Sequence, residues 1–467
     1  MTAEREPEEI PQSPTIPSPY GDGPIPTYRH LKLSAFWFAT NFLWGALITI
    51  MLPNELKHIA PHSRVFALSF LTAVGAIVPI LVPLIVGALS DRCANPMGRR
   101  RPFIIWGTGI NLLGLGLMGL AYHQAGVLSL NLGHEPTWLE GATALLTSPG
   151  FLLFLAAFMV VQFGNNIATA AYTGLIPDLV PQNQRGAASG YMAIMSQVGT
   201  LAGVVFSGII LGPFPEGIKY FVLAAVLALV AIITVTGIRE TPLPKAPDKI
   251  DWSTYAKSLW IDPRKHQDFA WVWITRFLVM LGFYAVIPYI NYYLTDVIKI
   301  EKPDGPAAIL TATILVFSTF SGFYGGVLSD RIGRKRVVFI ANLSMALVGL
   351  GFIFCRSFAE VMIVGIIFGL GYGAYVSVDW ALGTDVLPSK DDAAKEMAVW
   401  HIAMTLPQTI AAPVAGMLIE SFGKSAMYKG DDLIVHYTPG GYSAVFFVAS
   451  VCFGAGALLL RNVRSVK

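Results

Sequence analysis

Three ionisable side chains stand inside long apolar runs of this chain: Arg276, His401, and Asp379 in Tyr375-Val-Ser-Val-Asp379-Trp380. A charge in such a run is costly to bury, so it marks function by default. A carboxylate there can take a proton on one side of a barrier and release it on the other. Asp379 is therefore the preferred proton carrier. His401 is a second candidate because imidazole titrates near neutrality. The plainer alternatives are that Asp379 balances Arg276 or bonds to backbone, and that His401 is a hydrogen-bonded packing residue.

Neutral polar groups form a second set: Asn41, Trp44, Gln162, Asn165, Asn166, Tyr172, Tyr284, Asn291, Trp380 and Gln408. Amides and hydroxyls bond ligand hydroxyl groups, and aromatic faces cover C–H surfaces. Gln162, Asn165, Asn166 and Tyr172 share one helical face at i, i+3, i+4 and roughly i+10. An apolar, lipid-facing surface would not carry three amides in five residues. The competing role for them is hydrogen bonding between helices, and for Trp44 and Trp380 it is packing or contact with lipid.

The elements that position these residues follow from composition. Of 467 residues, 54% are hydrophobic and 13% charged, and mean hydropathy is +0.59. A soluble domain carries about 25% charged residues. The apolar runs are roughly 20 residues long, the length of a bilayer-crossing helix, and twelve are expected. This predicts an all-α membrane protein of twelve transmembrane helices in two six-helix, pseudo-symmetric halves. Residues 1–32, with seven prolines and no apolar core, read as a disordered cytoplasmic tail and not a signal peptide. The halves are 33–238 and 269–461, joined by a polar cytoplasmic linker at 239–268, with a short tail at 462–467. Putting both termini inside places most of the 32 Lys and Arg in the cytoplasm, as the positive-inside bias requires.

The halves repeat. Gly87-Ala-Leu-Ser90-Asp91-Arg92 is matched by Gly326-Val-Leu-Ser329-Asp330-Arg331, followed by Gly98-Arg-Arg-Arg101 and Gly333-Arg-Lys-Arg336. Asp178, before Pro181, is matched by Asp385, before Pro388. Counting six residues back from each makes Tyr172 and Asp379 equivalent. Parallel halves of this kind are those of alternating-access carriers with a site between them. Asp91, Arg92, Arg99, Asp330, Arg331 and Arg334 are then gate residues that pair in one conformer and part in the other. Basic clusters that only fix topology are the alternative. Gly87 and Gly326 are expected to admit a neighbouring helix closely.

These loops resemble the signature of the major facilitator superfamily. The first, Ser90-Asp91-Arg92-Cys93-Ala-Asn-Pro-Met-Gly98-Arg99-Arg100-Arg101-Pro102-Phe103, is similar to the sucrose transporter family of sucrose–proton symporters and their bacterial relatives. Asn41-Phe-Leu-Trp44, Asn165-Asn166 with Asp178, and Phe283-Tyr284 with Pro288-Tyr289 and Thr295-Asp296 support it. The likeness weakens in the second half. It implies a sugar substrate, a disaccharide or glucoside such as sucrose or maltose, held by the neutral set above. Arg276 then holds a sugar hydroxyl or locks Asp379. Plant members carry an Asp and an Arg where this chain has Gln162 and Thr173, so their usual proton-carrying carboxylate is absent from its place.

Other classes fare worse. No Gly-x-x-x-x-Gly-Lys-(Ser/Thr) loop is present, which argues against ATP-driven transport. Cys93, Cys355 and Cys452 are far apart, with no metal-ligand or disulfide spacing. No basic tract suits nucleic acid. No enzymatic site, metal or cofactor is expected. The expectation is a monomeric sugar importer of a bacterial-type cytoplasmic (inner) membrane, driven by proton symport, with lipid, protons and the sugar as its partners. The alternatives are a proton-independent sugar facilitator and a non-transporting sugar sensor, which would usually need a longer cytoplasmic extension. The amide-rich fourth span argues against an exporter of hydrophobic drugs.

Overall fold

The computed structural model describes residue 23 and residues 25–125, 138–181, 184–243, 252–253, 261–387, 393–429 and 432–464. Twelve of its helices are long and apolar enough to cross a membrane, and they are numbered here as spans in chain order. The first six are Thr27–Ile59, Arg64–Asp91, Arg101–Gln124, Pro149–Thr173, Gly190–Ile210 and Glu216–Gly237. The second six are Gln267–Asp296, Asp304–Ser329, Arg334–Phe354, Phe358–Gly383, Ile402–Gly423 and Pro439–Asn462. Lipid offers no partner for a backbone amide, so helix is the form these runs must take. Large apolar chains such as Trp106, Phe221 and Phe354 turn outward at over 70% exposure, as a lipid solvent permits.

Span 1 starts at Thr27, earlier than the hydropathy edge at Leu33. Most of the amphipathic segment expected near Trp252–Trp260 lies outside the described residues. Prolines set the helix breaks. Span 1 passes through a π turn at Leu47–Met51 just before Pro53. Span 7 passes through a 3-10 turn at Ile287–Tyr289 that contains Pro288. Proline removes one backbone donor and crowds the preceding turn, so the helix widens or tightens locally. These two breaks stand at equivalent places in the repeat. Among the described residues one element departs from an all-helical chain. Strands β1 (Lys424–Lys429) and β2 (Asp432–Tyr437) pair as an antiparallel hairpin between spans 11 and 12.

Each half is tied together by small residues at helix crossings. Gly199 and Gly203 of span 5 lie against the backbone of Phe38 and Phe42 of span 1, and Gly373 of span 10 lies against Ser318 of span 8. A side chain at any of them would strike backbone, so glycine sets the approach distance. Gly87 and Gly326 correct the expectation made for them. An added Cβ at either meets nothing within 4 Å among the described residues, so neither admits a close described helix in this conformation.

The ends of the spans define two faces. One carries the start of span 1, the end of span 12 and the described parts of the 2–3, 4–5, 8–9 and 10–11 connections; it is called the terminal face, and the opposite one the far face. One apolar core fills the N-terminal half and continues through Tyr289–Leu294, Ala411–Ile419 and Tyr442 of the other half. A second core, with Phe269, Val337, Trp400 and Leu460, stays within the C-terminal half. The halves are thus packed together toward the far face.

Candidate functional site

The buried charges of the C-terminal half meet. Arg276 of span 7 and Asp379 of span 10 form an ion pair, with side chains 2% and 4% exposed. The Arg276 guanidinium lies 4.8 Å over the Trp400 ring, and its Nη2 is 3.7 Å from the Met404 sulfur. Desolvating two ions costs several kcal/mol each, which close pairing recovers only in part. The pair therefore holds its place at a cost in stability. Beside it the Tyr375 hydroxyl and the Trp400 indole nitrogen are buried without a hydrogen-bond partner among the described residues. Nearby, Gln408 Nε2 donates to the Tyr284 hydroxyl at 2.7 Å, and Phe283 stacks on Tyr372 at 4.4 Å.

The N-terminal half is neutral at the matching depth. Gln162, Asn165 and Asn166 of span 4 are all more than nine-tenths buried. Asn166 Nδ2 donates to the Gln162 carbonyl at 2.8 Å. Among the described residues the Asn165 side-chain oxygen has no hydrogen-bond partner, and neither do Asn111 Oδ1 and Thr108 Oγ1 on span 3. Buried amides are ordinarily satisfied, so unmatched oxygens of this kind call for an explanation. Tyr172 donates to the Leu33 carbonyl of span 1 and packs its ring on Phe36 and Trp37. Asn41 donates to the Trp37 carbonyl at 2.8 Å, one turn back in its own helix. Trp44 stands edge-on to Phe158 at 6.3 Å. The sequence set thus separates into groups. Span 4 amides lie in one half, and Tyr284, Gln408, Arg276 and Asp379 in the other. Asn291 lies apart at the far face, donating to Asp304 at 2.9 Å. The side chains of Trp380, His401 and Asp330 are outside the described set.

At the terminal face the two repeated motifs converge. Asp91 pairs with Arg100, a residue left out of the expected gate set. Asp178 receives both Arg99 and Arg100, at 3.0 and 2.9 Å from their Nε atoms. Burial works against the charge of Arg100, but Asp178 and Asp91 outweigh it and hold the guanidinium above the ordinary arginine value. In the second half Arg334 pairs with Asp385 at 2.5 Å and donates to the Ala381 carbonyl at 2.8 Å, while Arg331 is exposed. Glu240, just after span 6, accepts from the Arg100 and Arg101 backbone at 2.8 and 2.9 Å and so caps span 3. Burial nevertheless pushes its carboxyl up. Every one of these pairs joins residues of a single half.

The far face is different, and the sequence reading missed it. Arg64 Nη2 reaches both carboxylate oxygens of Asp296 across the halves, at 2.5 and 2.7 Å. Tyr442 donates to Asp296 at 2.5 Å. The guanidinium lies between the rings of Tyr292 and Tyr437, 4.9 and 5.1 Å from their centroids. Tyr437 ends β2 and donates to Glu420 at 2.7 Å. Burial, then the nearby Glu420 charge, push that hydroxyl well up, so it stays a donor. Further links across the halves are Tyr292 to the Pro53 carbonyl, Asn54 to Asp304, and Ser69 with Tyr289, at 2.8, 2.8 and 2.6 Å. Arg64 and Asp296 stand at span ends, where hydropathy assigns a charge to a loop. Only their opposite signs at two such ends hinted at a pair.

Comparison with known proteins agrees with this architecture. The family model described as Major Facilitator Superfamily matches residues 33–390 and 272–466. The multi-drug resistance efflux pump PmrA of Streptococcus pneumoniae is 23% identical over 416 residues, covering 87% of this chain and 94% of its own. Sucrose transport protein SUC4 of Arabidopsis thaliana is 23% identical over 449 residues, covering 84% of each chain. Sucrose transport protein SUT5 of Oryza sativa is 24% identical over 439 residues, covering 79% of each. Among solved structures, nucleoside transporter NupG superposes with TM-score 0.62 at 13% identity, over 93% of this chain and 98% of that one. A D-xylose–proton symporter superposes with TM-score 0.64 at 15% identity, over 93% and 97%. Twelve apolar spans, the repeated loops and the family match make one statement: this chain is a multi-pass membrane transporter, not an enzyme, and belongs to the Major Facilitator Superfamily.

Proposed function

We propose that the protein imports a neutral sugar, a disaccharide or glucoside such as sucrose or maltose, by alternating access with proton symport. The observation that carries this reading is the buried Arg276–Asp379 pair. An ion pair in the apolar interior of a carrier is kept against its desolvation cost, and a proton on Asp379 releases Arg276. The partnerless Tyr375 hydroxyl, Trp400 N–H and Asn165 oxygen are groups of the kind that bond sugar hydroxyls. The sucrose transport relatives support the substrate class. Gln162 and Thr173 remain at the places of the plant members' charged residues, so coupling rests on the C-terminal half. We place both termini in the cytoplasm of an inner membrane, on the Lys and Arg bias. The conformation described above is then closed to the outside, with each terminal-face pair made within one half.

A second reading, drug export, is favoured by the likeness to an efflux pump over most of both chains. Reconstituted protein separates the two. Labelled sucrose and maltose are expected to accumulate in proteoliposomes under an inward proton gradient. Accumulation without a gradient requirement would leave a facilitator. Absence of flux for any glucoside, with gradient-dependent extrusion of a cationic dye, would replace the sugar reading by export.

A further inference from the structure

We propose that Glu55 and Glu216 form a proton-binding pair at the far face, and that loading it favours closure of that face. Glu55 lies in the short helix after Pro53 and is 1% exposed. Its Oε2 accepts from the Tyr220 hydroxyl at 2.7 Å, and its Oε1 is buried without a partner. Glu216 opens span 6. Its Oε1 takes Lys219 Nζ at 2.6 Å, and its Oε2 is likewise buried and unmatched. Two carboxylates therefore bond to the first turn of span 6, one through Lys219 and one through Tyr220, and each has an oxygen that only a proton or a further donor would satisfy.

Among the described residues the surroundings supply no such donor, and they add a third carboxylate. Asn54, Lys57, His58, Tyr122 and Glu216 line one polar pocket. The His58 ring leans on Tyr122 at 5.8 Å, and His123 approaches the adjoining Gly217. Lys57 sits among Arg64, Asp296 and Asp304, whose charges act on it. Asp304 comes from the opposite half and is held by Asn54 at 2.8 Å. It is near enough for its charge to act on Glu216. Closing the far face thus brings a further negative charge up to the pair. Like charges in a dry site favour proton uptake by one member. A proton bound more tightly by the closed form must shift the equilibrium toward it. The device stands apart from Asp379. It presumes that the far face opens, and it does not depend on the cargo being a sugar.

The test reads closure directly. Nitroxide labels on H62C and K302C, with Cys93, Cys355 and Cys452 replaced by Ser, report the separation of the halves in lipid nanodiscs by electron–electron double resonance. On acidification from pH 8 to pH 5 without substrate, the closed-to-open ratio is expected to rise about fivefold or more, the low end of coupling between sites. Glu55→Gln, which holds the shape without the charge, is expected to stay closed at both pH values, and Glu216→Gln to lose most of the response. His58→Gln is expected to respond like the parent. A parent distribution that ignores pH overturns the proposal. So does a parent-like response in either glutamine variant, or its loss in His58→Gln. Two independent glutamine variants keep the result decisive should one fail to insert.

Discussion

Tyr172 and Asp379 occupy equivalent positions of the two halves, and each reaches from its span to the partner span that the repeat also makes equivalent. Tyr172 of span 4 donates to the Leu33 carbonyl of span 1. Asp379 of span 10 pairs with Arg276 of span 7. The scaffold repeats, the bridge repeats, and only the chemistry differs. One bridge is a neutral hydrogen bond that no proton alters. The other is an ion pair that a proton breaks. Divergence at one matched position thus leaves one half with a neutral bridge and the other with a charged one.

Removing the charged bridge carries the largest expected effect. Asp379→Asn leaves Arg276 charged in an apolar interior, which costs about 3–5 kcal/mol of stability. Gradient-driven sugar accumulation is expected to fall to simple equilibration while exchange across the membrane persists. A paired substitution, Arg276→Met with Asp379→Leu, is expected to regain most of the stability in thermal unfolding in detergent. Recovery would show that the ion pair is kept for function, and its failure would make the pair structural.

Next in size is the lock at the far face. Arg64→Met strands Asp296 and weakens closure by on the order of 3 kcal/mol. A thiol probe at Ser69→Cys, otherwise buried against Tyr289, is expected to react at least about tenfold faster with an impermeant maleimide. The neutral half yields smaller changes. If Asn165 bonds a sugar hydroxyl, Asn165→Ala is expected to cost about 1 kcal/mol or roughly fivefold in affinity, measured by substrate-protected thermal shift. Unchanged affinity would return span 4 to a packing role. Smallest is Tyr172→Phe, which is expected to cost about 1 kcal/mol of stability and leave the pH dependence of transport as it was. A shifted pH profile in that variant would erase the contrast between the bridges.

Hydropathy and the repeated loops made the twelve spans and the two halves legible, because lipid leaves the backbone one choice. The Arg276–Asp379 pair was legible for the same reason: few charges enter the spans, so those that do are conspicuous. Three things were not. Arg100 replaced its neighbours as the partner of Asp91 because which of three adjacent arginines points inward depends on the positive φ at Gly98 and the Glu240 cap behind it. The Arg64–Asp296 lock joins residues 232 positions apart at two span edges, where a charge normally faces water. The hairpin at Lys424–Tyr437 is too short and too polar to register in a hydropathy profile, yet it places Tyr437 against Arg64.

The claim that sugar movement is coupled to protons through the Arg276–Asp379 bridge is tested most directly by sugar-induced proton uptake. Proteoliposomes loaded with a pH-sensitive dye are given sucrose or maltose at symmetrical pH. The parent protein is expected to acidify the lumen in step with sugar entry. Asp379→Asn is expected to admit sugar down its gradient with no acidification. Acidification that survives in Asp379→Asn would contradict the assignment and move coupling out of the Arg276–Asp379 pair.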